Sequence, residues 1–254
     1  MGKLLKIALG LMLFIVIIIG VFLYEFTRYD ESSLSSHYGY TISLTTDSKL
    51  EKPIFYVPIP VLGNDITMAN MAINENARVS DDWNLSIIET EYGKMLKIST
   101  KEFVPGVKKL VELQPPVPGQ TGDIPTGNSS SFTMGDKYLS VSMVADHVID
   151  TKNATENEPL LSQKFNLTPS SYKYPSNGIP LKTQRYDSII YADYGSSPNA
   201  TVEVLVSLDG RNEWFAGGWA FNIYRESLGI TLTGEKHGWV PASGELVEGE
   251  GRYN

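Results

Sequence analysis

Two hydrophobic rhythms divide the chain. From Ile7 to Tyr24 it reads IALGLMLFIVIIIGVFLY, eighteen residues without a charge and apolar on every face. As a helix at ~1.5 Å per residue this run covers about 27 Å, close to the thickness of a bilayer core. Beyond Tyr38 the rhythm changes to period two, the signature of half-buried strands. TVEVLVSLDG places Val202, Val204, Val206 and Leu208 on one face and ends in Asp209-Gly210, a pair suited to a tight hairpin turn. KYLSVSMVADHVID aligns Leu139, Val141, Met143, Ala145, His147 and Ile149. WNLSIIETE and MLKIST, joined through Tyr92-Gly93, form a hairpin candidate with Trp83, Leu85 and Ile87 on one parity. EWFAGGWAFNIY puts Trp219, Phe221 and Ile223 together, and its paired glycines suggest a bulge. LGITLTG and GWVPASGELV add two short strands separated by Gly234 to Gly238.

These strands, punctuated by Gly and Pro, predict an all-β fold: an antiparallel β-sandwich or jelly-roll-like ectodomain preceded by a single N-terminal transmembrane α-helix. The organisation expected is a cytoplasmic tip at 1–6, an anchor at 7–26, a flexible polar stalk at 27–37 and one β domain over 38–254. Residues 64–77 break the pattern, with Met68, Met71, Ala72 and Glu75 at helical spacing behind possible caps at Asn64 or Asp65. VKKLVEL after Pro105-Gly106 reads as a further strand. Two polar, Pro-punctuated stretches, 114–136 and 151–185, read as long loops.

Flanking charge orients the apolar run. Lys3, Lys6 and the α-amine precede it and Glu25, Arg28, Asp30 and Glu31 follow, so the N-terminus is expected in the cytoplasm and the β domain outside. Bulky residues at Val21, Phe22, Leu23, Tyr24 and Phe26 offer no small-residue cleavage site, which favours a retained anchor over a removed signal peptide. With 254 residues the chain can bury a core without covalent staples. It has no Cys, which excludes disulfides, thiolate metal sites and a Cys nucleophile. A net charge of −8 disfavours nucleic-acid binding, because the acidic surface repels phosphate.

Motifs that would announce chemistry are missing. There is no GxSxG, no phosphate-binding glycine loop and no histidine pair at zinc spacing; the three histidines, His37, His147 and His237, stand far apart. No cofactor, metal or catalytic residue is assigned. The carboxylates at Asp81-Asp82, Glu89, Glu91, Glu156, Glu158, Glu245, Glu248 and Glu250 are expected to be solvated charge. Five acceptor sequons make Asn84, Asn128, Asn153, Asn166 and Asn199 candidate N-glycosylation sites.

The most distinctive stretch is Trp214 to Tyr224 with Trp239. Alternation predicts Trp219 and Phe221 inward and Tyr224 outward, as part of a core. Exposed, Trp214, Phe215, Trp219, Tyr224 and Trp239 would instead form a contact for a ligand or partner. The expected function is a non-enzymatic, membrane-anchored binding or structural module of the cell surface. Its partners would be the bilayer through residues 7–26 and another envelope protein, a glycan or a second copy of the chain. A tethered glycan hydrolase with a carboxylate pair across a tryptophan-lined cleft is one alternative; an accessory subunit of a membrane complex is another.

Overall fold

The computed structural model describes residues 2–74, 77–80, 82–105, 135–170 and 182–249. The apolar run lies within helix α1 (Gly2–Ser32). Its described large side chains, such as Leu9, Phe14 and Ile18, are exposed, so the helix contributes none of them to the core. Among the described residues, no helix is long and apolar enough to cross a membrane. Strand β1 (Ser35–Thr46) follows after only Ser33 and Leu34. Residues 27–37 are therefore mostly helix and strand, where polar composition predicts a flexible stalk.

The rest is a curled antiparallel sheet with two leaves. One leaf orders β4 (Arg78–Val79), β8 (Gly135–Val144), β1, β12 (Thr201–Phe215) and β13 (Trp219–Thr233). The other orders β14 (Lys236–Glu248), β11 (Lys182–Gly195), β2 (Leu50–Pro58), β6 (Gly93–Ser99) and β5 (Asn84–Thr90). β7 (Glu102–Phe103) pairs with β2, β10 (Phe165–Ser170) with β11, and β3 (Pro60–Val61) with β9 (Leu160–Leu161). The leaves join where Arg225–Gly229 of β13 pairs with Ser243–Val247 of β14. Toward the Gly234-Glu235 turn they part, residues 230–233 pairing with β12 and 236–242 with β11. One buried cluster lies between them, with Ile42, Leu139, Val204 and Leu228 from one leaf and Phe55, Ile98, Ile190 and Leu246 from the other.

The period-two reading of β12 holds: Val202, Val204, Val206 and Leu208 are all buried, and the inward series continues through Asn212 and Trp214. Asp209-Gly210 is not a turn. Both residues sit mid-strand, paired with Gly39 and Tyr38 on one side and Arg225 and Tyr224 on the other. Glycine is required at 210 for another reason: a Cβ there would lie 2.2 Å from Cε1 of Tyr224, whose ring covers the backbone. The turn comes at Ala216–Gly218, where Gly217 takes φ 76°. The glycine pair is thus the hairpin tip, not a bulge, and β13 continues through LGITLTG as one long strand.

The β5–β6 hairpin forms as expected. A helix also forms within 64–77, as α2 (Thr67–Ile73), with Met68, Ala69 and Ala72 buried. Asp65 Oδ1 accepts from the Thr67 backbone N–H at 2.8 Å and from its hydroxyl at 2.6 Å, one residue ahead of the backbone cap at Ile66. The stretch 151–185 is not one long loop: it carries α3 (Ala154–Asn157), β9, β10 and the start of β11. VKKLVEL and most of 114–136 lie outside the described residues.

Candidate functional site

The outward faces of β10, β11, β14 and β13 enclose an open groove of about 620 Å³. Its floor is made of small residues, Ser227, Gly229 and Ser243, and its wall includes Arg185, Asp187 and Glu245. Arg185 Nε lies 3.8 Å from Glu245 Oε1, and Asn166 donates to Asp187 Oδ2 at 2.8 Å. Asp187 is thus held by a hydrogen bond, whereas Glu245 meets Arg185 only as a long ion pair, its buried Oε1 accepting no hydrogen bond. No tryptophan lines this groove.

Along the same outward face, an aromatic row crosses three strands in register: Trp239 of β14 opposite Tyr191 of β11, itself opposite Tyr56 of β2. Tyr56 and Tyr191 stack at 4.5 Å and 17°, while Trp239 meets Tyr191 edge-on at 5.3 Å and Tyr92 at 4.8 Å. These rings are half-buried by each other, and their faces are largely spent on neighbouring rings. Two residues along β11 and β14, Asp193 Oδ1 and His237 Nδ1 lie 2.7 Å apart.

Trp239 is thus separated from the other four residues of the predicted aromatic contact, and those four divide between two faces. Trp214 and Tyr224 are buried. Tyr224 points inward and its hydroxyl donates to the Pro159 carbonyl at 2.7 Å. Trp219 and Phe221 point outward, reversing the predicted parity, because the chain turns at Ala216–Gly218 and pairs Trp219 with Phe215 and Phe221 with Glu213. Phe215 and Trp219 meet edge-on at 5.9 Å, and the Arg211 guanidinium lies 4.3 Å from the Phe221 ring centroid.

This tip lies where α1 ends. Ser35 pairs with Glu213, and the Phe215 backbone N–H donates to Ser33 Oγ at 2.8 Å. Val144 stands at the same end of the leaf, paired with His37. Outside α1, the three most exposed large apolar side chains among the described residues are Val144 (79%), Trp219 (72%) and Phe221 (56%). All three belong to this end.

A second group of polar residues escaped the sequence reading: buried carboxylates that fasten the excursion 146–165 to the sheet. Glu158 and Glu248, expected to be solvated, are buried, and so is Glu226 of β13. Glu226 Oε2 accepts from the Leu161 N–H at 2.8 Å and its Oε1 lies 2.9 Å from Lys164 Nζ. Burial pushes the Glu226 carboxyl up, opposed by the Lys164 charge, and burial likewise holds Lys164 down. Glu248 Oε1 accepts from the Thr155 N–H and hydroxyl, at 3.1 and 2.9 Å. Glu158 accepts from the Tyr38 hydroxyl and, at 2.6 Å, from the Asp150 N–H. His147 completes this corner, its Nδ1 2.9 Å from Asp146 and its Nε2 3.3 Å from the Tyr38 hydroxyl. Every carboxylate here is occupied in holding the backbone or a neighbour, which is a structural duty. Among the described residues, no group of three or more acidic or histidine side chains is placed to hold a metal ion. Their acid positions were visible in sequence; their burial depends on strand register, which was not.

Of the sequon asparagines, Asn84, Asn153, Asn166 and Asn199 are exposed, and Asn128 lies outside the described residues. Asn166 carries φ 52° and is hydrogen-bonded to Asp187. The fold and these surfaces define an all-β, antiparallel class of protein bearing an exposed apolar helix. No protein-family model, curated protein or solved structure matches the chain.

Proposed function

We propose that this is a membrane-anchored protein whose β-sandwich domain stands outside the cell and serves as a non-enzymatic binding or structural module. One observation carries the reading: a charge-free apolar run sits in a 31-residue helix whose described apolar side chains are exposed, while the β domain closes its own core without them. Burying that surface requires something other than this chain, and a hydrocarbon layer accepts a helix that is apolar all round. The unbroken series of described side chains in α1, 9–21, accounts for only about 20 Å; the run from Ile7 to Tyr24 gives about 27 Å. Flanking Lys3 and Lys6 favour an inside N-terminus.

Binding is favoured over hydrolysis by the groove. Asp187 is held by Asn166, Glu245 faces the Arg185 charge, and the tryptophans that would grip a sugar lie elsewhere. The role left to the domain is contact through its outward faces, with another envelope component or a second copy.

The test is cellular. The full chain should stay in the membrane pellet through an alkaline carbonate wash, and protease added to intact cells should destroy the β domain. Release by carbonate removes the anchor; protection of the domain in intact cells reverses the orientation.

A further inference from the structure

We infer that the end of the β domain around the β12–β13 hairpin tip is a lipid-contacting foot: Trp219 and Phe221 rest in the interfacial layer of the bilayer and hold the domain upright beside its helix. The inference deepens the anchor reading and rests on it.

The first support is position. Only Ser33 and Leu34 separate helix from strand, so Ser35 lies within ~10 Å of the helix end by chain reach. Ser33 is itself bonded to Phe215 beside the tip. The second support is length. Helical residues 25–32 lift Ser32 about 12 Å clear of Tyr24, the last residue of the apolar run. Gly217 lies four residues beyond Glu213, the partner of Ser35, which is about 13 Å along the strand. A domain standing on its helix therefore points the tip back toward the level of Tyr24, where hydrocarbon gives way to headgroups.

The third support is composition. Outward positions in the middle of β12 and β13 carry Ser207, Asp209, Arg225 and Ser227, whereas at this end they carry Trp219 and Phe221. The next most exposed large apolar residue outside α1, Val104 at 53%, belongs to a separate loop. Tryptophan and phenylalanine are the side chains suited to an interfacial layer, with rings that bury apolar area at headgroup depth. Arg211 is paired with Glu213 at 2.6 Å, so the foot brings little net charge. Contact should therefore depend on ring burial and not on anionic lipid.

The experiment reconstitutes the full chain into vesicles of phosphatidylcholine alone, with and without bromine on the upper acyl chain, and reads tryptophan emission. The chain has four tryptophans, so quenching of Trp219 should remove roughly a quarter of the emission on brominated lipid. The Trp219→Phe variant should lose most of that quenching, whereas Trp239→Phe should retain it, and neither should respond to added salt. If the chain does not float with the vesicles, the anchor reading fails and the foot with it. If it floats but Trp219→Phe leaves quenching unchanged, the foot alone is overturned. Shielding of Trp219 that appears equally in detergent and rises with protein concentration would also overturn it, in favour of a second copy of the chain.

Discussion

Replacing Gly210 with Ala isolates the contact that most departs from the sequence pattern. The new methyl group would sit 2.2 Å from Tyr224 Cε1 and 2.9 Å from its Cζ, so the ring must move. Overpacking of a filled core costs about 1–3 kcal/mol. Moving the ring also breaks the bond from the Tyr224 hydroxyl to the Pro159 carbonyl, a further loss of about 1 kcal/mol. Removing a mid-strand glycine returns about 0.5–1 kcal/mol. The balance is a destabilisation of roughly 1–3 kcal/mol, which in a domain of this size lowers Tm by about 3–10 °C. Urea unfolding of the full chain in detergent should show a lower midpoint with an unchanged slope. In a Tyr224→Leu background the ring is gone and the Ala should become nearly neutral, giving a coupling of similar size in a double-mutant cycle. A Gly210→Ala protein as stable as the parent, or one equally destabilised in both backgrounds, would refute the argument that the ring excludes a side chain there.

Two further outcomes follow from the buried polar groups. Glu226→Gln keeps an acceptor for the Leu161 N–H but leaves Lys164 without its counter-charge, so urea unfolding should show a loss of about 3–5 kcal/mol; parental stability would mean the pair is dispensable. For His147, the hydrogen bond that its Nδ1–H donates to Asp146 is the largest influence and raises its pKa above the ordinary 6.5. A raised folded value means that its contribution to stability is complete below 6.5 and fades as pH climbs through the folded midpoint. An NMR titration of the ring should therefore show a midpoint above 6.5 that falls in Asp146→Asn, and a midpoint at or below 6.5 would contradict the geometry.

How far the sequence could be read depended on the range of the interaction. Alternation is local, so the inward valines of β12 and the β5–β6 hairpin were visible, and so was the short helix behind Asp65. Asp209-Gly210 misled because glycine answers two needs with one letter, a turn or a close approach. Only the position of Tyr224, fourteen residues away across the hairpin, tells them apart. The same error of turn placement inverted Trp219 and Phe221, since a tip read as a bulge keeps the wrong residues facing inward. Glu158, Glu226 and Glu248 look like surface charge until register folds the excursion 146–165 over them. The aromatic row of Trp239, Tyr191 and Tyr56 joins residues from three distant segments and has no local signal.

The way β1 is held has a mechanical consequence. It is the first strand after the helix, and it lies between β12 and β8 with ladders along nearly its whole length on both edges. Any tug arriving through the helix enters at its leading end and runs along its axis. Both ladders must then slide together; neither can peel open rung by rung. The attachment point is thus stitched into a strand clamped along both edges, and the domain resists being unravelled by its own tether.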